Sequence, residues 1–335
     1  MKYNRWLLAG WVCAGSLFSP CAVQGVALSA WRASAVTNAV AVTRADWLDA
    51  KRDRTVPVKI YAPQSGGGPF PLVLFSHGLG GTREGYEYLG QSWAAHGYVV
   101  VHLQHPGSDE SVWKDVSLGQ RMKAMQRAAA QPRHALDRMQ DVTLAIDELT
   151  RLNATNSPWR GRLDLKRIGL AGHSFGAHTT LATAGAVYSG FGGASRGDPR
   201  VRALIPMSSP VPGQQAQLDA IYGRVKLPCL HMTGTADSSP IGDTKAADRR
   251  LPFDHCGNSD QFLITFTGGD HAVFGGRERR RGGAKDATFQ ALIVQSSIAF
   301  WDAYLRDAAP AKAWLTTEFQ TVLGKEGVFE VKLQK

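Results

Sequence analysis

The sequence is most tightly constrained at Gly172-His173-Ser174-Phe175-Gly176, where an apolar run from Arg167 to Ala171 gives way to a helical pattern. A serine between two glycines at a strand-to-helix transition predicts a sharp elbow. There the backbone is strained and the hydroxyl stands above a sheet, at the start of the next helix. Gly172 and Gly176 carry no side chains to collide as neighbouring segments approach the turn. The elbow demands a buried strand feeding a helix, and the rest of the chain must supply the sheet.

The remaining pattern supplies it. Residues 54–62 alternate like a half-buried strand, and short apolar strands are expected at Pro71–Phe75, Tyr98–Leu103, Val201–Met207, Lys226–Met232 and Gln261–Phe266. Helices are expected over 84–96, 133–151 and 286–306. In the second of these, Leu136, Met139, Val142, Ile146 and Leu149 recur at helical spacing. Strands alternating with helices predict an α/β fold with a mostly parallel central sheet and helices on both faces. The opening segments around 38–62 are expected to pair antiparallel at one edge. Residues 105–131 are polar and interrupt the alternation. Only 18 residues separate Met207 from Lys226, which leaves no room there for a large cap domain.

At the N-terminus, Lys2 and Arg5 precede an uncharged run from Trp6 to Phe18, followed by small residues up to Gly25. The run falls short of the roughly 20 apolar residues that span a bilayer. It reads as a signal peptide over 1–25, the alternative being an uncleaved anchor. A single catalytic domain over 26–335 would then be exported, periplasmic or secreted, with no stable membrane insertion after cleavage. Cys13 and Cys21 would leave with the signal, and Pro20 makes Cys21 a poor lipidation site. Cys229 and Cys256 remain, and in an oxidising compartment they suggest one disulfide, the alternative being two unrelated buried thiols. The net charge of +10 concentrates partly in Arg277, Arg279, Arg280, Arg281 and Lys285, which read as a solvated loop. With no accompanying motif, nucleic acid is not an expected partner.

A serine hydroxyl needs a base to take its proton, and that base needs an orienting acid. Behind a strand–elbow–helix serine the chain order is acid, then histidine. Of the later histidines, His178 lies one helical turn beyond Ser174, His231 sits inside an apolar strand, and His255 lies between strands. His271 follows strand 261–266 on a loop at its C-terminal end and is the expected base. Asp237, directly after strand 226–232, is the expected acid. Asp243 and Asp248 lie farther along, and Asp270 reads as a turn residue. Donors for a developing oxyanion are expected from the N–H of Phe175 and from the glycine-rich loop Ser76-His77-Gly78-Leu79-Gly80-Gly81. In that loop Leu79 is preferred, then Gly78, and His77 reads as a brace. Trp113 and Tyr86 are candidate aromatic pocket walls.

His77-Gly78-Leu79-Gly80 together with Gly172-His173-Ser174-Phe175-Gly176 resembles the platelet-activating-factor acetylhydrolase group of α/β-hydrolases. The pattern is also similar to dienelactone-hydrolase-like proteins and bacterial polyester hydrolases, over roughly 55–306. The resemblance implies the α/β-hydrolase fold, Ser174 as nucleophile, His271 as base, and Leu79 with Phe175 as oxyanion donors. It implies hydrolysis of carboxylic esters, small or polymeric, through an acyl-enzyme, with no cofactor and no metal. One departure stands out. In the acetylhydrolase group the acid follows the strand after the nucleophile's helix, where this chain reads Pro206-Met207-Ser208-Ser209-Pro210. Asp237, one strand later, is similar to the cutinase and polyester-hydrolase arrangement. Compact or short-chain esters are the expected substrates. The same triad also serves amidases and peptidases, and an inactive hydrolase fold used for binding is the reading from another class.

Overall fold

The computed structural model describes residues 31–32, 38–188, 197–213, 215–257, 259–276 and 283–334. The expected signal peptide and Arg277, Arg279, Arg280 and Arg281 lie outside them. The described residues form one nine-stranded sheet. Its strands are β1 (Val40–Asp49), β2 (Arg54–Pro63), β3 (Phe70–Ser76), β4 (Val99–Leu103), β5 (Leu163–His173), β6 (Val201–Met207), β7 (Cys229–Ala236), β8 (Gln261–Asp270) and β9 (Gly327–Lys332). They lie in the order β1-β2-β4-β3-β5-β6-β7-β8-β9. From β4 through β8 neighbours run parallel. The β1–β2 hairpin closes one edge antiparallel, and β9 closes the other.

Helices cover both faces, and β3 shows how the sequence divides between them. Val73 and Phe75 point to a core shared with Leu89 and Trp93 of α1 (Glu87–Ala95) and with Phe289, Ile293 and Trp301 of α7 (Asp286–Leu305). Leu72 and Leu74 point to the opposite core. There they meet Met139, Val142 and Ile146 of α3 (Pro132–Ala154) and Leu181 of α4 (Phe175–Thr183). Side chains that alternate along a strand buried on both faces leave no polar side, which is why these strands read as short continuous apolar runs.

Among the described residues between β6 and β7 lie a one-turn 3₁₀ helix and the five-residue α5 (Leu218–Tyr222). The polar stretch 105–131 contains α2 (Leu118–Ala129), which exposes 81% of Leu118 and half of Met122. With its apolar residues partly in solvent, it lacks the buried stripe that marks a helix in sequence. The C-terminal elements α8 (Ala309–Thr317), α9 (Phe319–Leu323) and β9 are further additions to the expected pattern. Val328 and Val331 of β9 are exposed, so its alternation carries little burial signal. Among the described residues no helix is long and apolar enough to cross a membrane.

The expected Cys229–Cys256 disulfide is not formed; both cysteines are buried free thiols in the core beneath β7. Feeding adjacent elements brings two cysteines near one another, but a bond also requires a narrow range of Cα separation and Cβ direction. Burial raises both thiols, Cys256 to about 12, so they behave as apolar packing groups.

Candidate active site

Ser174 has φ 55° and ψ −116°, a backbone region that side chains avoid, at the junction of β5 and α4. Such a conformation costs on the order of 1–3 kcal/mol and persists only where the surroundings impose it. Here they do. Ser174 N–H donates to Met207 O of β6 at 2.9 Å, and its carbonyl accepts from Ala177 and His178 in the first turn of α4. A Cβ on Gly176 would stand 1.8 Å from Ser76 O, and one on Gly172 would stand 2.3 Å from Gly176 O. The two glycines let β3 and α4 close on the elbow.

The ends of β7 and β8 bring the expected acid and base together. Ala236 and Asp270 are register partners, so Asp237 and His271 each stand one residue past the paired strands. His271 Nδ1 lies 2.8 Å from Asp237 Oδ1. The other oxygen of the buried Asp237 accepts from Thr233 Oγ1 at 2.8 Å and from the Ser208 hydroxyl. A carboxylate accepting from these groups is held in one rotamer facing His271 Nδ1. Ser208 thus stands at the strand end where the resembled group keeps its acid, and its hydroxyl donates to Asp237 of the next strand instead.

Arg249 completes this side and was not foreseen. Fully buried, it donates from Nε to Asp237 O at 3.0 Å and from Nη1 to Ser208 O at 2.8 Å, and it lies 3.5 Å from Asp237 Oδ1. It clamps the two loops that carry Asp237 and Ser208. Arg249 sits in a charged run, Asp248-Arg249-Arg250, that reads as surface, and only tertiary folding turns it inward.

Leu79, at the tip of the glycine-rich loop, lines two cavities that meet at Ser174. One, of about 330 Å³, is walled by Phe175, Ala135, Pro132, Pro210 and Tyr188. The other, of about 470 Å³, holds His271 beside Tyr86, Trp113 and the loop glycines. Trp113 Nε1 donates to Gly80 O at 2.8 Å, and a Cβ on Gly80 (φ 74°) would come within 2.8 Å of the indole. Tyr86 OH meets His173 Nδ1 at 2.8 Å and accepts from Gly78 N–H at 3.4 Å. His77 braces the loop from inside: His105 N–H donates to its Nε2 at 3.1 Å, which leaves Nδ1–H to donate to Gly78 O at 2.6 Å. Burial holds His77 well below the usual imidazole value, so it is neutral.

The other histidines fall elsewhere. His178 stacks on Tyr188 at 3.9 Å between ring centroids, His231 meets Gln261 in the core, and His255 pairs with Asp219. Asp270, expected as a turn residue, is the last residue of β8 and accepts from Ala272 N–H at 3.0 Å. Lys285 pairs with Glu326 at 2.7 Å. Among the described residues no three His, Cys, Asp or Glu side chains gather as a metal cage.

The family model described as platelet-activating factor acetylhydrolase, isoform II, matches residues 49–190. That span contains the glycine-rich loop and the elbow but ends before Asp237 and His271. Three platelet-activating factor acetylhydrolases are similar to the chain. The protein from Cavia porcellus is 29% identical over 157 residues, covering 38% of this chain and 35% of the relative. Those from Canis lupus familiaris and Bos taurus are each 24% identical, over 246 and 249 residues, covering 66% of this chain and 51% of the relative. The chain therefore spans about half the length, or less, of the curated relatives it matches. Its sheet order and elbow are those of an α/β-hydrolase, and within that fold its sequence resembles the platelet-activating-factor acetylhydrolases.

Proposed function

We propose that the protein is a serine hydrolase that cleaves carboxylic esters through an acyl-enzyme, with Ser174 as nucleophile, His271 as base and Asp237 as orienting acid. The observation that carries this reading is the 2.8 Å contact of His271 with Asp237 on the same cavity as the strained Ser174. Asp237 keeps the proton on Nδ1, leaving Nε2 to receive the hydroxyl proton as Ser174 Oγ adds to the ester carbonyl. The oxyanion meets the N–H groups of Leu79 and Phe175. Collapse expels the alcohol, protonated by His271, and water repeats the sequence to release the acid. The apolar cavity beside Phe175 suits the acyl group, and the cavity beside His271 suits the leaving alcohol.

The N-terminal charge and hydropathy pattern supports an exported enzyme, and the short β6–β7 connection supports compact esters. The test is kcat/KM across p-nitrophenyl acetate, butyrate, octanoate and palmitate, beside anilide analogues. The expected maximum is at acetate or butyrate, with anilides far slower. A maximum at octanoate or longer, or faster anilide cleavage, overturns the substrate assignment.

A further inference from the structure

Beneath the glycine-rich loop lies a second serine, histidine and aspartate joined in series. Ser76 Oγ is 2.9 Å from His105 Nε2, and His105 Nδ1 is 3.0 Å from Asp141 Oδ2. All three side chains are inaccessible to solvent. Asp141 also receives Arg52 and Arg54, each at 2.8 Å. No substrate reaches this set, so its order of hydrogen bonds serves position. What it positions is shown by Arg138, which lies beside it on α3.

The guanidinium of Arg138 is fully buried, and its five N–H groups meet five oxygens. Nε donates to Ser108 Oγ at 2.8 Å. Nη1 donates to His77 O at 2.6 Å and to Ser76 Oγ at 3.4 Å. Nη2 donates to Gly78 O at 3.4 Å and to Ser108 O at 3.2 Å. Ser108 O also accepts from Gly80 N–H at 2.9 Å. Three of these oxygens, Ser76 Oγ, His77 O and Gly78 O, belong to the Leu79 loop, and Ser108 O is bonded to it. The Gly78 carbonyl is decisive. In a planar trans peptide the C=O of Gly78 and the N–H of Leu79 point in opposite directions. Arg138, His77 Nδ1 and Gly81 N–H all hold that carbonyl inward. The Leu79 N–H therefore points to the opposite side, away from Arg138, and Leu79 itself lines both cavities at Ser174. The same guanidinium lies 4.4 Å from the centre of the Phe175 ring, the residue that supplies the other donor.

We infer that Arg138, braced by Ser76, His105 and Asp141, is a positioning residue that fixes both oxyanion donors in one frame. The inference rests on the proposed roles of Leu79 and Phe175. It separates positioning from binding: the frame acts on the tetrahedral state, whose oxygen is displaced toward the donors, and not on ground-state ester affinity.

The test measures kcat, KM, melting temperature and the Ki of an aryl trifluoromethyl ketone, whose adduct with a serine carries an oxyanion. Wild type, Arg138→Met, Arg138→Lys and Ser76→Ala are compared on p-nitrophenyl acetate. For Arg138→Met, kcat should fall about 100-fold at nearly unchanged KM, with Ki rising by a similar factor, because a misaimed donor costs about as much as a missing one. Arg138→Lys keeps the charge but not the five-donor fork, so it should recover only part of the loss. Ser76→Ala removes one hydrogen-bond donor to His105 and should cost about fivefold in both kcat and Ki. It decides the question if Arg138→Met does not fold. A folded Arg138→Met, or failing that Ser76→Ala, that keeps wild-type kcat and Ki overturns the inference, as does a loss confined to KM. Substantial turnover by Ser174→Ala instead overturns the functional reading, and the inference with it.

Discussion

The molecule holds two serine–histidine–aspartate sets, and they differ in what surrounds the serine. Ser76 lies within β3, its hydroxyl already engaged by His105, with burial on every side. Ser174 is lifted out of the sheet by a strained elbow, and it lines two cavities with His271 partly exposed beside it. Burial, reinforced by the Arg138 charge, drives His105 down to about 4, far from the value near neutrality that suits a general base. The two sets share residue types, and the role proposed for Ser174 rests on what differs between them. Access, backbone strain and an adjacent glycine-rich loop distinguish the Ser174 set, proposed to be reactive, from the buried Ser76 set.

The largest expected contrast comes from removing each carboxylate's charge. Asp237→Asn should lower kcat by about 10⁴-fold, because the amide favours the wrong imidazole tautomer. Asp141→Asn leaves Arg52 and Arg54 without their shared anion, and losing one side of a buried ion pair costs about 3–5 kcal/mol. Its midpoint in urea should fall markedly, with a much smaller change in kcat than Asp237→Asn shows. Reversed outcomes would exchange the roles of the two sets.

A smaller effect sharpens the comparison through pH. Burial lowers His102 to about 3 and His105 and His231 to about 4, from an ordinary value of 6.5. Between those values the unfolded chain binds protons that the folded chain refuses. The stability contributed is therefore complete above pH 6.5 and is lost as pH falls toward 4. Each group contributes a slope of about 1.4 kcal/mol per pH unit in that window. Urea midpoints at pH 7.5, 6 and 5 should fall accordingly, and His105→Asn should flatten the slope by about one proton. An unchanged slope would mean that His105 titrates normally.

The parts of this arrangement legible in sequence are those set by neighbouring residues. The elbow, the glycine-rich loop, and the placement of Asp237 and His271 after strands all follow from local pattern. The parts that stayed hidden are side chains whose meaning depends on distant partners. Arg138 reaches carbonyls about 60 residues away in sequence, and Arg249 reaches Ser208 across 41. The residues flanking each give no sign of those distant partners. In sequence Ser208 marks only the absence of a carboxylate, whereas its hydroxyl supports one. The cysteines show the converse error, since predicted proximity was mistaken for bonding geometry.

The most direct test of the central claim is peptide mapping of protein treated with a fluorophosphonate, a reagent that captures an activated serine. One adduct is expected, on Ser174, abolished in Ser174→Ala, with Ser76 unmodified in both proteins. An adduct on Ser76, or labelling that persists in Ser174→Ala, would contradict it.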